Sequence, residues 1–127
     1  MDYNHNNISP LDNRYKNKIL DLREVFSEHA LVKTRFIIEI DWLIFLCSNH
    51  SKYFGSISKS SINKLNKFKN NFSDKDVKKI KKIEEITNHD VKAVEYFIRD
   101  FFKKDKTLSK YIHLIHFGLT SEDITSL

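Results

Sequence analysis

The sequence predicts an all-α protein, on three observations. Only 2 glycines and 1 proline occur in 127 residues, too few to punctuate a succession of short strands and tight turns. No stretch alternates apolar and polar residues with period two. From Phe36 onward, apolar residues instead recur at three- and four-residue intervals, the spacing of one helix face.

Residues 1–18 are polar and contain the one proline. Met1-Asp2-Tyr3-Asn4-His5 shows no basic segment followed by an apolar one, so no secretory signal is expected. Ser9-Pro10-Leu11-Asp12-Asn13-Arg14-Tyr15 reads as a structured turn. Pro10 fixes its own φ, and Asn13 tolerates a left-handed backbone. Ser27-Glu28-His29 precedes the strongest helical pattern, in which Phe36, Ile40, Leu43 and Cys47 share a face that Ile37 and Ile44 widen. Ser48-Asn49-His50-Ser51 reads as its end. Ile62, Leu65, Phe68 and Phe72 mark a shorter amphipathic helix. Ser73 with Asp76 reads as a variant capping box ahead of Val77, Ile80, Ile83 and Ile86. After a break at Thr87-Asn88-His89-Asp90, Val91, Val94, Ile98 and Phe101 define another helix, with Asn88 or Asp90 as its cap. Leu108, Ile112 and Ile115 make one more helical face. Gly118 stands where a helix C-terminus wants positive φ, and Thr120 or Ser121 caps a last helix.

The charge balance is 22 basic against 17 acidic residues, or +5. Such a balance suits nucleic acid, an anionic surface or a phosphorylated small molecule. The lysines between Lys59 and Lys82 are read as a solvated face. Cys47 lies in an apolar run and is expected to be a buried thiol, without a disulfide partner, as in a reducing compartment. The run from Phe36 to Cys47 is interrupted by Glu39 and Asp41 and is too short for a bilayer, so no membrane role is expected and a cytoplasmic protein is.

No glycine-rich phosphate loop, paired-cysteine motif or zinc-protease helix is present. His113 and His116, three apart, could chelate, but no further ligand pair at defined spacing follows them, so no metal is expected. The chemistry-bearing residues collect instead at the two breaks. Asn88, His89 and Asp90 make either a polar helix junction or a site that donates to an anionic or carbonyl oxygen. Thr120 and Ser121 make either a capping box with Asp123 or an anion-binding helix start. Arg14, beside Tyr15 in a proline-ordered turn, is either solvated or a phosphate fork.

Taken together, these segments carry a resemblance. The turn Ser9 to Tyr15, Phe26-Ser27-Glu28, the run Thr87-Asn88-His89-Asp90-Val91-Lys92-Ala93-Val94-Glu95-Tyr96, and Ile115-His116-Phe117 with Thr120-Ser121-Glu122-Asp123-Ile124 resemble the N-terminal part of the adenylosuccinate lyases, closest to the bacterial form, within the fumarase/aspartase superfamily. The resemblance covers the whole chain in order; residues 52–82 carry little of it. It implies that residues 1–127 are the N-terminal helical domain of a helical-bundle lyase, truncated at the start of a further helix, with the central bundle and C-terminal domain absent. The implied activity is cofactor-independent elimination of fumarate from adenylosuccinate, giving AMP, and from the succinyl-carboxamide ribotide of purine synthesis. The implied assembly is a homotetramer with sites shared between subunits. By the same resemblance Arg14 and Tyr15 bind the nucleotide, Asn88, His89 and Asp90 line the substrate site, Thr120 and Ser121 hold a carboxylate or nearby group, and His116 is a further site residue.

Two departures accompany it. Asn13 stands where the family commonly has glycine, so a turn with positive φ under modest strain is expected. The family's general acid, a histidine, and its general base, a serine on a mobile loop, lie beyond residue 127, so the chain alone is expected not to turn over. Two other classes compete. One is a small basic module binding nucleic acid through Lys59–Lys82; it lacks a recognition motif, and the aromatics sit on apolar faces rather than among the lysines. The other is an oligomerisation domain using the wide apolar stripe from Phe36 to Cys47.

Overall fold

The computed structural model describes residues 9–126, so the reading of the first five residues lies outside it. Every regular element among the described residues is helical. The chain divides into two compact units after Leu31.

The first unit opens with a short 3-10 turn, Pro10–Asp12, where the Ser9 hydroxyl accepts from the Leu11 N–H at 3.1 Å. The turn is ordered as its proline predicts, but Asn13 does not use the left-handed region. Its φ is −128°, so the departure from glycine there carries no such strain. A helix that the apolar spacing did not announce follows, α1 (Leu20–Phe26). It has no buried residue, and Phe26 is 81% exposed. Helix α2 (Glu28–Asn49) then begins behind Ser27, whose hydroxyl accepts from the Ala30 N–H at 3.1 Å.

The second unit holds the core. Phe36, Ile40, Leu43 and Cys47 on α2 are all buried, as their spacing requires. After the single turn α3 (Ser51–Phe54) come α4 (Lys59–Asn70) and α5 (Asp74–Thr87). The Ser73 hydroxyl and N–H both donate to the Asp76 carboxylate, closing the capping box read from the sequence. Helix α6 (Asp90–Lys104) packs along α5 and buries Val91, Val94 and Ile98. Phe36 is the hub of the core: its ring centroid lies 4.6 Å from that of Phe72, 4.8 Å from Phe68 and 5.9 Å from Phe97. The thiol of Cys47 is buried and pushed above its ordinary range by burial, despite Lys110.

The face Leu108, Ile112 and Ile115 forms on a 3-10 turn, Ser109–Leu114, rather than an α-helix, with Leu108 and Ile115 buried. Gly118 has φ +71°, the conformation its position called for. The described chain closes with α7 (Ser121–Thr125), capped by Thr120, one of the two residues the sequence offered for that role.

Candidate functional site

The junction between α5 and α6 is built by Thr87, Asn88, His89 and Asp90. Asn88 ends α5 in the left-handed region, at φ 50° and ψ 35°, and its N–H donates to the Glu84 carbonyl at 2.7 Å. The cap of α6 is neither of the residues proposed from sequence but His89, whose Nδ1 accepts from the Lys92 N–H at 3.2 Å. That bond leaves Nδ1 without a proton, so the neutral ring carries its hydrogen on Nε2. The neighbours were predicted as caps because short oxygen-bearing side chains are the usual acceptors there. Asp90 is instead the first helical residue. Its Oδ1 accepts from the Val91 N–H at 2.8 Å and its Oδ2 from Arg35 Nη1 at 2.6 Å. Partial burial works against the charge of Asp90, but the Val91 N–H and the Arg35 guanidinium outweigh it and hold the carboxyl below its ordinary range.

The second segment runs from His116 to Ser121. His116 has φ 62°, a left-handed conformation that costs a non-glycine residue about 1 kcal/mol. Two residues of α2 hold this turn. Trp42 Nε1 donates to the Phe117 carbonyl at 2.8 Å, and Glu39 Oε1 meets His116 Nδ1 at 2.5 Å. Thr120 donates through its N–H and its hydroxyl to Asp123 Oδ2, at 2.7 and 2.9 Å, so the capping box considered for it is formed. Those two bonds lower the Asp123 carboxyl.

The two segments meet across a cleft of about 400 Å³. Thr87, His89, Lys92, Glu95, His116 and Ser121 line it, with Val91 and Tyr96 as its apolar walls. Of the residues singled out from sequence, His89, His116 and Ser121 therefore share one cavity. Asn88, Asp90 and Thr120 shape the backbone that carries them. Arg14 and Tyr15 belong to the N-terminal unit, where the guanidinium lies 5.4 Å from the tyrosine ring centroid and both side chains are exposed. His113 is exposed, and no group of three or more metal-ligating side chains occurs among the described residues.

Sequence reasoning missed the buried polar residues at and behind the cleft. Arg35, Glu39 and Glu95 are each 5% exposed or less. Glu95 accepts from Arg99 Nε at 2.9 Å and lies 2.8 Å from Lys92 Nζ. A signal for them existed. Glu39 interrupts an apolar helix, and Glu95 falls on the face defined by Val91, Val94 and Ile98; an acid on a core face demands a partner. The lysine-rich stretch behaves as the solvated face expected, with Lys64, Lys69, Lys79 and Lys81 paired to Asp105, Asp41, Asp76 and Glu84. No helix among the described residues is long and apolar enough to cross a membrane.

No protein-family model matches the chain. It is 41% identical over 123 residues to the adenylosuccinate lyase of Legionella pneumophila (strain Corby), a match that takes in 96% of this chain and 27% of that protein. It is 40% identical over 121 residues to the adenylosuccinate lyase of Escherichia coli K12, covering 94% of the chain and 26% of the relative. The likeness extends to the adenylosuccinate lyase of Dictyostelium discoideum, 42% identical over 122 residues with the same coverages, 94% and 26%. The chain thus spans about a quarter of the length of the curated relatives it matches.

Proposed function

This chain is related over nearly its whole length to the adenylosuccinate lyases, matching their N-terminal quarter, and we propose that it supplies one wall of the substrate site of such a lyase. The reaction is the cofactor-independent elimination of fumarate from adenylosuccinate, and the same cleavage of the succinyl-carboxamide ribotide. It breaks the bond between carbon and nitrogen after a proton leaves the adjacent carbon. Negative charge then builds beside two carboxylates, and fixed N–H and O–H donors in a site shielded from water lower that barrier. His89 Nε2, the Ser121 hydroxyl and His116 are the donors this chain brings to the cleft. Asn88 and Asp90 hold the first segment, and Thr120 holds the second. Arg14 and Tyr15 take the nucleotide end. The enzyme is cytoplasmic and works as a homotetramer. The proton acceptor and the acid that serves the leaving nitrogen are not among these 127 residues, which by themselves release no fumarate.

The observation that carries this reading is the shared cleft: His89 and Ser121 come from the two segments where the resemblance is most specific, and they line one cavity with His116. Titration of adenylosuccinate into the isotope-labelled protein tests it by NMR. Shifts are expected at His89, Tyr96, His116 and Ser121, with at least a tenfold loss of affinity in His89→Ala. Uniformly unperturbed cleft signals would sink the reading. Fumarate release by the 127-residue chain would overturn the division of labour.

A further inference from the structure

Behind the cleft lies a side-chain pair that the substrate-site reading leaves unused. The Glu39 side chain is fully buried, with Oε1 2.5 Å from His116 Nδ1 and Oε2 lacking any hydrogen-bond partner. His116 is the outer member, 19% exposed, and lines the cleft. Trp42, one turn along α2 from Glu39, fixes the next peptide through the Phe117 carbonyl. Helix α2 therefore grips both the ring and the backbone of a turn whose φ of 62° is unfavourable by itself.

The charges around the ring are few and mostly engaged. Glu39 faces it from α2. On α6, Glu95 is occupied by Lys92 and Arg99. On α7, Asp123 is held by Thr120. His89 stands at the cleft, its Nδ1 taken by the Lys92 N–H. A carboxylate buried against a neutral imidazole would leave a net negative charge in the core with one bare oxygen, which is costly. Burial raises the Glu39 carboxyl in spite of His116, and Glu95 adds to the rise. One more proton on the pair removes the net charge. It sits either on the ring, making imidazolium against carboxylate, or on Glu39, making an acid that donates to Nδ1. The two forms differ only in where that proton lies along the 2.5 Å contact. In both, Nε2 carries a hydrogen.

We propose that Glu39 is a positioning residue for His116: it holds the ring by Nδ1 and keeps Nε2 as an N–H donor to an anionic oxygen of the substrate in the cleft. The identity of that anion rests on the lyase reading; the state of the ring does not.

Imidazole ¹⁵N NMR on the 127-residue protein tests this, with the His116 signals identified by their loss in His116→Gln. In the native chain Nε2 is expected to be protonated near neutral pH. In Glu39→Leu, Nδ1 loses the partner that holds it, and the ring is expected to redistribute between its two tautomers, read from the Nδ1 and Nε2 shifts. A bare Nε2 in the native protein near neutral pH overturns the proposal, and needs no variant. So does an unchanged pattern of Nδ1 and Nε2 shifts in folded Glu39→Leu. Fumarate and inorganic phosphate, added separately, identify the anion: a shift of the Nε2–H with fumarate assigns a carboxylate, one with phosphate alone assigns a phosphoryl group, and a shift with neither overturns the donor role. If the ring behaves as stated while adenylosuccinate leaves the cleft untouched, the lyase reading fails and the Glu39–His116 pairing stands.

Discussion

Asp90 shows how one side chain near the cleft serves the fold as much as any ligand. Arg35 is buried to 5% exposure, its Nη1 is met by Asp90 at 2.6 Å, and its Nε has no hydrogen-bond partner. Asp90→Ala would strand that guanidinium and free the Val91 N–H. The side chain of Asp90 is half exposed, so water recovers part of the loss. A destabilisation of about 2 kcal/mol is expected by urea unfolding. An unchanged midpoint would show that the pair contributes nothing. The sequence marked Asp90 as a cap or a site residue; its role as counter-ion to an arginine 55 positions away was invisible, because ion pairs between distant elements leave no local spacing.

Among the elements, α5 is the one whose start can be tested most directly. Its capping box joins Ser73 to Asp76 through two bonds of 3.1 and 2.9 Å, and Lys79 adds an ion pair at 3.2 Å. Ser73→Ala is expected to cost about 1 kcal/mol by thermal unfolding. Burial opposes the charge on Asp76, but the Ser73 and Lys79 contacts prevail and bring the carboxyl below its ordinary 3.8. The ionised cap therefore stabilises the fold above that pH, and the contribution is lost as pH falls through the lower folded value. Asp76→Asn should cost stability at neutral pH and converge on the native protein well below pH 3.8. A penalty that persists in acid would rule out this electrostatic account. The Ser73 box was legible, and the Thr120 box stood as one of two readings, because a cap is a contact within four residues. α1 was not, since its apolar residues serve no buried face.

For the molecule as a whole, apolar residues divide into those that hold it together and those that do not. Phe36 is fully buried among three rings, whereas Phe26 is 81% exposed on α1. Phe36→Ala is expected to lose about 4 kcal/mol, a large share of the stability of a domain this size. Its thermal transition should move far down or lose cooperativity. Phe26→Ser should stay within about 0.5 kcal/mol of the native protein and reduce binding of an apolar dye. A reversal of that order would mean that the core is misassigned.

The sequence by itself determined the all-α class, the buried stripe of α2, the capping box at Ser73, a last helix capped by Thr120 or Ser121, the positive φ of Gly118 and the two segments that make the cleft. Each rests on a period or a bond that spans a few neighbouring residues, so composition and spacing suffice to read it. Only the tertiary structure decided that His89 and not its neighbours caps α6, that Asn13 needs no left-handed backbone, and that His89, His116 and Ser121 face one cavity. It alone put Glu39 against His116 across 77 positions of chain. For the shared cavity and the Glu39–His116 pair the physical reason is the same. A partner that shares a turn of helix is specified locally, whereas a partner brought by packing is chosen by how helices bury their apolar faces, and the polar groups carried along with those faces must pair where they land.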